Sequence, residues 1–105
     1  MKEPRPLEPD PPRLVWVRAA DRYPDADPEN SFIAMDGEVE VGVVKLVPAP
    51  AGAEWMWSFW LTHPGPAFKQ PTNGRCGRSG QAARELDACW RAFRAWFGAG
   101  EGEGA

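Results

Sequence analysis

The chain has 105 residues and a formal net charge of −3, which leaves room for one domain and disfavours a polyanion as a general partner. No apolar run approaches the roughly 20 residues that span a bilayer, and prolines and acids occupy the N-terminus where a signal peptide needs an apolar stretch. Two cysteines are too few for a disulfide-stapled secreted scaffold. We therefore expect a cytoplasmic protein with free thiols and no membrane partner.

The two ends have compositions that do not build a core. Residues 1–12 hold five of the twelve prolines together with charged side chains, and residues 98–105 alternate glycine with small or acidic residues. We expect a disordered proline-rich tail at 1–12, a single α+β domain at 13–97 and a disordered Gly/Glu tail at 98–105.

Four segments have the composition of β-strands, and their short links favour an antiparallel meander. They are predicted at about 14–19, 31–35, 38–47 and 53–62. The pair Asp36-Gly37 lies between the second and third strands and favours a two-residue type I′ hairpin turn. In that turn Met35 pairs with Glu38.

This register predicts which residues of the hairpin share a face of the sheet. They are Phe32, Ala34, Val39 and Val41. The alternation of apolar and polar residues is lost after Gly42, which indicates a β-bulge at or near that glycine. Pro48 is expected to end the strand, because proline cannot donate to the ladder.

The fourth strand carries three of the six tryptophans. Its odd positions are uniformly apolar, so Trp55, Trp57 and Phe59 are predicted to face the core. Its even positions mix polar and apolar residues, and Trp60 is among them. The strand therefore divides between the core and the opposite face.

A helix is predicted at about 80–97, because apolar residues recur there at three- and four-residue steps. Its apolar stripe contains Ala82, Leu86, Cys89, Phe93, Trp96 and Phe97. Ser79 is expected to cap the start of the helix and Gly98 to end it. The stripe is predicted to pack on the tryptophan strand, which gives a two-layer α+β domain.

Residues 63–80 are predicted to form a long loop, since they contain three prolines and four glycines without periodicity. No acidic residue lies between Trp55 and Arg84, so the loop is a positive segment on an acidic chain. Glycines admit a ligand to the backbone, and free N–H groups at a helix start attract anions. The candidates for binding a phosphate anion or nucleic acid are Lys69, Arg75, Arg78 and Ser79. The alternative is a flexible loop whose serine only caps the helix.

The sheet face opposite the helix is predicted to carry a partner surface. Its candidates are Ile33, Met35, Met56 and Trp60. These side chains would form an exposed apolar patch rimmed by glutamates, which is typical of a homodimer or protein–protein contact. The alternative is that the N-terminal segment, through Leu14 and Trp16, covers this face.

The chain offers little for catalysis or metal binding. No C-x-x-C or H-x-x-x-H spacing suits zinc, and the acidic stretch 21–30 lacks the glycine and terminal glutamate of a calcium loop. Cys89 lies on the apolar stripe and is expected to be a small buried hydrophobe. A nucleophilic pair of Cys76 and His63 would rest only on their presence in one loop. We expect no catalytic residue, no metal and no cofactor.

The C-terminal half resembles short, uncharacterised bacterial proteins. In these a W-x-W strand, here Trp55-Met-Trp57, leads through a glycine- and arginine-containing loop to a helix with Ser79, Ala82 and Trp90. The resemblance implies a sheet-plus-helix fold and no assigned activity. We expect a non-enzymatic binding or interaction module that self-associates or binds a protein through the open sheet face. The alternative is a weak nucleic-acid or phosphate-anion binder that uses loop 63–80.

Overall fold

A computed structural model describes residues 13–61 and 68–104, with side chains described up to residue 97. Five antiparallel strands form one sheet, in which each strand pairs with the next strand in the chain. The elements are β1 (Val15–Arg18), β2 (Ser31–Asp36), β3 (Val39–Ala49), β4 (Gly52–Phe59), β5 (Asn73–Cys76) and the helix α1 (Ser79–Gly104). The predicted α+β fold is confirmed, with five strands where three to four were expected. The tail predicted at 1–12 lies outside the described residues.

The hairpin between β2 and β3 has a different turn from the one predicted. Asp36 pairs with Val39, so the two loop residues are Gly37 and Glu38. Gly37 has a φ of 62°, and among the described residues only glycines have a positive φ. A type I′ turn needs positive φ at both loop positions, whereas a type II′ turn needs it only at the first. The backbone therefore matches type II′, and Asp36 belongs to the strand.

A β-bulge lies immediately before Gly42, as the change in sequence pattern predicts. Met35 pairs with Glu40 and Ala34 pairs with Gly42, so Val41 is the extra residue in β3. Val41 is fully buried in the same cluster as Ala34. The bulge thus lets Val41 and Val44 both join the cluster of Ala34, whereas Val43 between them is buried on the opposite side of the sheet.

β3 continues to Ala49, past the proline that was expected to end it. The Leu46 N–H donates to the Asn30 carbonyl at 2.9 Å, and the pairing of β2 begins at Ser31. Because N–H groups alternate sides along a strand, the Pro48 nitrogen points to the same side as that of Leu46, beyond the end of β2. Proline therefore removes no ladder hydrogen bond here.

The segment predicted as a loop at 63–80 contains β5, which pairs along β4. β4 itself ends at Phe59 instead of at residue 62. The Trp57 ring lies directly over β5, since a Cβ on Gly74 would come within 2.6 Å of Trp57 Nε1. Glycine is needed at that position because the indole occupies the space of a side chain. Residues 62–67 lie outside the described residues.

The helix begins at Ser79, close to the predicted start, and runs to Gly104. The prediction that Gly98 ends it is wrong. A glycine ends a helix by adopting the left-handed conformation, whereas the backbone at Gly98 stays helical and has no positive φ. The segment predicted as a disordered tail at 98–105 is therefore helical up to Gly104.

The helix packs on the sheet face that carries Trp57 and Phe59, which we call the helix face. The predicted stripe is confirmed, as its first four residues are buried and the last two are partly buried against the same cluster. Trp90, which lies beside that stripe, is 1% exposed and is the largest fully buried side chain. Arg91 and Arg94 place their guanidinium carbons 5.8 and 5.5 Å from its ring centre. The buried side of the helix is thus wider than predicted.

The opposite sheet face, which we call the second face, has a small core of its own. Ile33, Met35 and Val43 are buried there together with Ala19. Ala26 packs on the same cluster. Residues 19–26, which follow β1 and which we call the cover segment, therefore cover the second face. Small alanine side chains let the cover segment lie close to the sheet.

A carboxylate on β3 anchors the cover segment. Arg22 Nε and the Tyr23 hydroxyl both donate to Glu40, the latter at 2.6 Å. The hydrogen bonds from Tyr23 and Arg22 hold the pKa of the Glu40 carboxyl below its ordinary value. Glu40 therefore ties the cover segment to β3.

Candidate binding cleft

Arg75, one of the four predicted anion-binding residues, lies on the second face. Its neighbour Cys76 is buried under the helix, and successive side chains of a strand point to opposite sides. Arg75 Nη1 lies 3.6 Å from Oε1 of Glu54 and donates to the Pro48 carbonyl at 3.5 Å. The charge of Arg75 is therefore compensated and turned away from the helix face.

The other three predicted residues separate into two places. Arg78 and Ser79 lie at the start of α1, and both are exposed. Lys69 is exposed beside Gln70, on the side of the helix where β5 lies. The structure therefore brings together only Arg78 and Ser79 of the predicted anion site.

The predicted partner surface is largely covered. Ile33 and Met35 are 1% and 6% exposed, because the cover segment packs on them. Met56 is partly buried against the same cluster, whereas Trp60 is 41% exposed. The alternative cover, through Leu14, is wrong as well, since Leu14 is buried on the helix face. Of the four predicted residues, only Trp60 is available to a partner.

A cleft of about 190 Å³ opens on the helix face, between the sheet and the first turns of α1. We call it the aromatic cleft. Its lining residues are Trp16, Phe32, Val44, Ser79, Gly80 and Ala83. Trp16 and Phe32 are only partly buried, and the Phe32 ring centre lies 6.5 Å from that of Trp55. The cleft therefore presents aromatic side chains to solvent beside the helix start.

Local sequence explains why the space stays open. The first turns of the helix carry small residues, Gly80 and Ala83, opposite bulky residues of the sheet. One turn further on, Leu86 closes the gap, because its Cδ1 lies 3.0 Å from the position of a Cβ on Gly42. Small residues followed by a tight contact leave a cleft at one end of the helix–sheet interface.

Two arginines border the aromatic cleft. Arg18 pairs in register with Phe32, which places both side chains on the helix face. Arg84 folds back over the first helical turn, with Nη1 4.0 Å from the position of a Cβ on Gly80. Arg18, Arg84 and the nearby Arg78 form no ion pair with any residue in the described parts of the chain, whereas four other arginines do.

Sequence reasoning missed the aromatic cleft because its parts are far apart in the chain. Trp16 and Arg18 stand two residues apart on β1, which places them on one side of that strand. The small residues Gly80 and Ala83 in the first turns of the helix were the second available signal. Neither signal shows that these side chains meet.

A second cleft, of about 280 Å³, lies on the other flank of the helix. Its lining residues are Trp57, Gln70, Pro71, Asn73, Glu85, Ala88 and Cys89. Glu85 accepts hydrogen bonds from Trp57 Nε1 at 3.0 Å and from Gln81 Nε2 at 3.3 Å. The carboxylate is thus occupied in holding the tryptophan and the helix together.

The two thiols are in states that disfavour nucleophilic chemistry. Burial raises the pKa of Cys89 to about 11. Burial, assisted by the neighbouring Glu85 carboxylate, raises the pKa of Cys76 as well. A reactive cysteine needs a lowered pKa, which favours the thiolate. His63, considered above as a partner of Cys76, lies outside the described residues.

Asp27, in the acidic stretch 21–30, has structural partners. Asp27 accepts backbone N–H bonds from Glu29 at 2.9 Å and Asn30 at 3.2 Å, which lower the pKa of Asp27 and form a local turn. No three metal-binding side chains converge within the described ranges. Within the same ranges, no helix is long and apolar enough to cross a bilayer.

Comparison of the chain with protein-family models, with curated protein sequences and with solved structures gives no significant match. The resemblance to short bacterial proteins with a W-x-W strand stays a prediction.

Proposed function

We propose that this protein is a non-enzymatic binding module, and that the aromatic cleft receives one apolar or aromatic group of its partner. One observation carries the proposal. Partly exposed aromatic side chains line a concave surface, and the arginines that border it, Arg18 and Arg84, have no carboxylate partner among the described residues. Concave apolar surfaces with a few polar groups at the rim are typical of binding sites.

The size of the aromatic cleft supports a macromolecular partner. Pockets for whole small molecules usually measure roughly 300–1,000 Å³. The aromatic cleft, at about 190 Å³, is smaller and suits a single ring or branched side chain. Such a pocket is typical of an interface in which one anchoring group contributes much of the binding energy. We therefore propose the contact on the helix face rather than on the second face.

The proposal of a non-enzymatic role is supported by the second cleft. It contains a carboxylate and a thiol, which are the groups that catalysis would use. Glu85 is engaged by Trp57 and Gln81, and Cys89 has a raised pKa. Neither group is poised as a general base or a nucleophile.

A pair of fluorescent probes tests the proposal. Anilinonaphthalene sulfonate joins an aromatic system to an anion, and phenylnaphthylamine has the same rings without the charge. We expect saturable binding of both probes, with tighter binding of the sulfonate because of the arginines. Ala83→Phe should fill the aromatic cleft and remove most of the saturable signal.

Ala88→Phe is the matched control, since Ala88 lines the second cleft. The two alanines are five positions apart in the helix, which places them about 140° apart around the helix axis. Ala88→Phe should leave probe binding unchanged, and circular dichroism should show that both variants are folded. Loss of binding in Ala88→Phe but not in Ala83→Phe would move the site to the second cleft, and equal binding in all three chains would end the proposal.

A second candidate function is the binding of a nucleic acid or phosphate anion. It is favoured by Arg18, Arg78 and Arg84 near the start of the helix, which form no ion pair within the part of the chain that the structure describes. The net charge of −3 opposes it, because a polyanion is repelled by the rest of the chain. Retention on immobilised heparin at low salt, abolished by Arg78→Glu and unaffected by Arg75→Glu, would support it. Absence of retention would exclude it.

A further inference from the structure

Within the described residues, the outer edge of β1 is unpaired. β1 is the first strand of the sheet, and no backbone group of the described residues bonds to its outer side. The bond from Leu46 N–H to the Asn30 carbonyl fixes the alternation of the ladder from β3 through β2 to β1. That alternation places the peptide groups of Trp16 and Arg18 on the outer edge. An open edge with free N–H and C=O groups is a template for a further strand.

The same two residues direct their side chains to the aromatic cleft. Trp16 lines the cleft, and Arg18 stands beside Phe32 on the helix face. A strand added to the edge would therefore place every second side chain over the helix face, next to the cleft. Backbone pairing and side-chain insertion would use one stretch of the partner.

The charges around the cleft indicate the composition of the partner. No lining residue is acidic, and Arg18 and Arg84 form no ion pair within the described residues. We propose that the module takes an extended acidic peptide segment, which adds as an antiparallel or parallel strand to β1 and inserts one aromatic or large apolar side chain into the aromatic cleft. This inference rests on the proposed function of the cleft.

The open edge favours a peptide over a single-stranded nucleic acid. A peptide satisfies the alternating N–H and C=O groups of β1, and the side chains of alternate residues then supply specificity. A nucleic acid would use the rings and the arginines alone, and it would also face the net charge of −3.

The probe is a capped, fluorescently labelled heptapeptide with phenylalanine at its centre and glutamate two residues to each side. Threonine and valine occupy the remaining positions. In an extended chain this spacing presents the ring and both carboxylates on the same side. The matched peptides replace either the glutamates by lysine or the phenylalanine by alanine. We expect both replacements to weaken binding, measured by fluorescence anisotropy.

Two variants at one residue separate backbone pairing from charge. Arg18 has a φ of −68°, which proline adopts without strain. Arg18→Gln and Arg18→Pro both remove the charge, but only Arg18→Pro removes the N–H on the outer edge. We expect Arg18→Gln to weaken the heptapeptide about two- to fivefold, as for a partly exposed ion pair. Arg18→Pro should weaken it about tenfold further.

Arg84→Gln tests the second arginine, with Lys45→Gln as its matched control. Lys45 is exposed and lies on the second face, since Val44 is buried on the helix face. Arg84→Gln should weaken the heptapeptide and Lys45→Gln should not, although both remove one positive charge.

The outcomes are distinct. Equal affinity of Arg18→Pro and Arg18→Gln would overturn strand addition. Binding of a thymidine oligonucleotide, but not of the heptapeptide, would overturn the peptide in favour of nucleic acid. If the naphthalene probes bind and respond to Ala83→Phe while the heptapeptide fails, the proposed function stands and this inference is wrong. Failure of both probe classes rejects both.

Discussion

Glu85→Ala should destabilise the fold by removing the acceptor that holds Trp57 in the core. The Trp57 Nε1–H donates to Glu85 at 3.0 Å, and Trp57 is 4% exposed. Without Glu85 this part-buried N–H has no acceptor among the described residues, which costs about 1–3 kcal/mol. The bond from Gln81 to Glu85 is exposed at 3.3 Å and adds little. Alanine is the best helix former, so the helix itself loses nothing.

Two further variants calibrate the size of the effect. We expect Glu85→Ala to lower the free energy of unfolding by about 1–2 kcal/mol, which at an m-value of roughly 1.5 kcal/mol/M lowers the urea midpoint by about 1 M. Glu85→Gln keeps an acceptor oxygen and loses only its charge, so it should lose about half as much. Asp87→Ala removes a surface carboxylate paired with Arg91 at 2.9 Å and should lose less than about 0.5 kcal/mol.

The assay is urea unfolding followed by far-ultraviolet circular dichroism, which reports the whole fold instead of one tryptophan. A proton–nitrogen NMR spectrum should show the indole N–H of Trp57 shifted in Glu85→Ala and exchanging faster with solvent. The reasoning is refuted if Glu85→Ala is no less stable than Asp87→Ala. It is also refuted if Glu85→Gln loses as much stability as Glu85→Ala, since the acceptor oxygen would then be irrelevant.

Three other predictions concern single groups. Because hydrogen bonds lower the native pKa of Glu40 from its usual 4.5, its stabilising effect is present above that pH and is lost as the pH falls through the native value. The urea midpoints of wild type and Glu40→Gln should therefore converge in acid, and a gap that widens would contradict the sign. Gly74→Ala should lower the melting temperature, since its Cβ meets Trp57 Nε1 at 2.6 Å, and an unchanged temperature would refute the close packing. Native Cys76 and Cys89 should react with a thiol reagent at neutral pH much more slowly than the unfolded chain, and equal rates would disprove their burial.

The fold was predictable where apolar residues recur in the sequence with the period of a helix or a strand. The helix stripe and the odd positions of β4 identify the residues that face each other, and the structure buries Trp57 and Phe59 against Leu86 and Phe93. Periodicity can be recognised locally, because the residues that share a buried face lie only a few positions apart in the sequence. The predicted stripe did not include Trp90, because this residue lies at the edge of the stripe, where Arg91 and Arg94 cover its ring.

β5 could not be predicted from its own residues. Asn73-Gly-Arg-Cys76 contains no β-branched or aromatic residue, and the flanking prolines and glycines favour a loop. It becomes a strand because β4 has an unpaired edge and because Gly74 leaves room for the Trp57 ring. Strand formation here depends on the partner strand, so no local pattern reports it.

The candidate site was predictable only in part, for the same reason. Of the four predicted anion-binding residues, Arg78 and Ser79 lie together at the helix start because they are consecutive in the chain, and their role stays a prediction. The charge pattern did not predict that Arg75 lies on the second face. The side chain of Arg75 points there because the next residue, Cys76, is buried on the helix face, and this burial depends on tertiary packing. The second face itself is covered by residues without periodicity. They are attached to the sheet by the hydrogen bond from the Tyr23 hydroxyl to Glu40.

The order of the strands has a consequence for how quickly each part of the fold forms. Every pairing in the sheet joins neighbours in the chain, whereas the bond from Arg94 to Asp36 spans 58 residues. Local contacts cost less loop entropy, so we expect the hairpins to form in the folding transition state and the helix to dock afterwards. Leu86→Ala should then speed unfolding, and Gly37→Ala, which strains the turn, should slow folding. Rapid-mixing kinetics with the opposite assignment would show that the helix forms part of the nucleus.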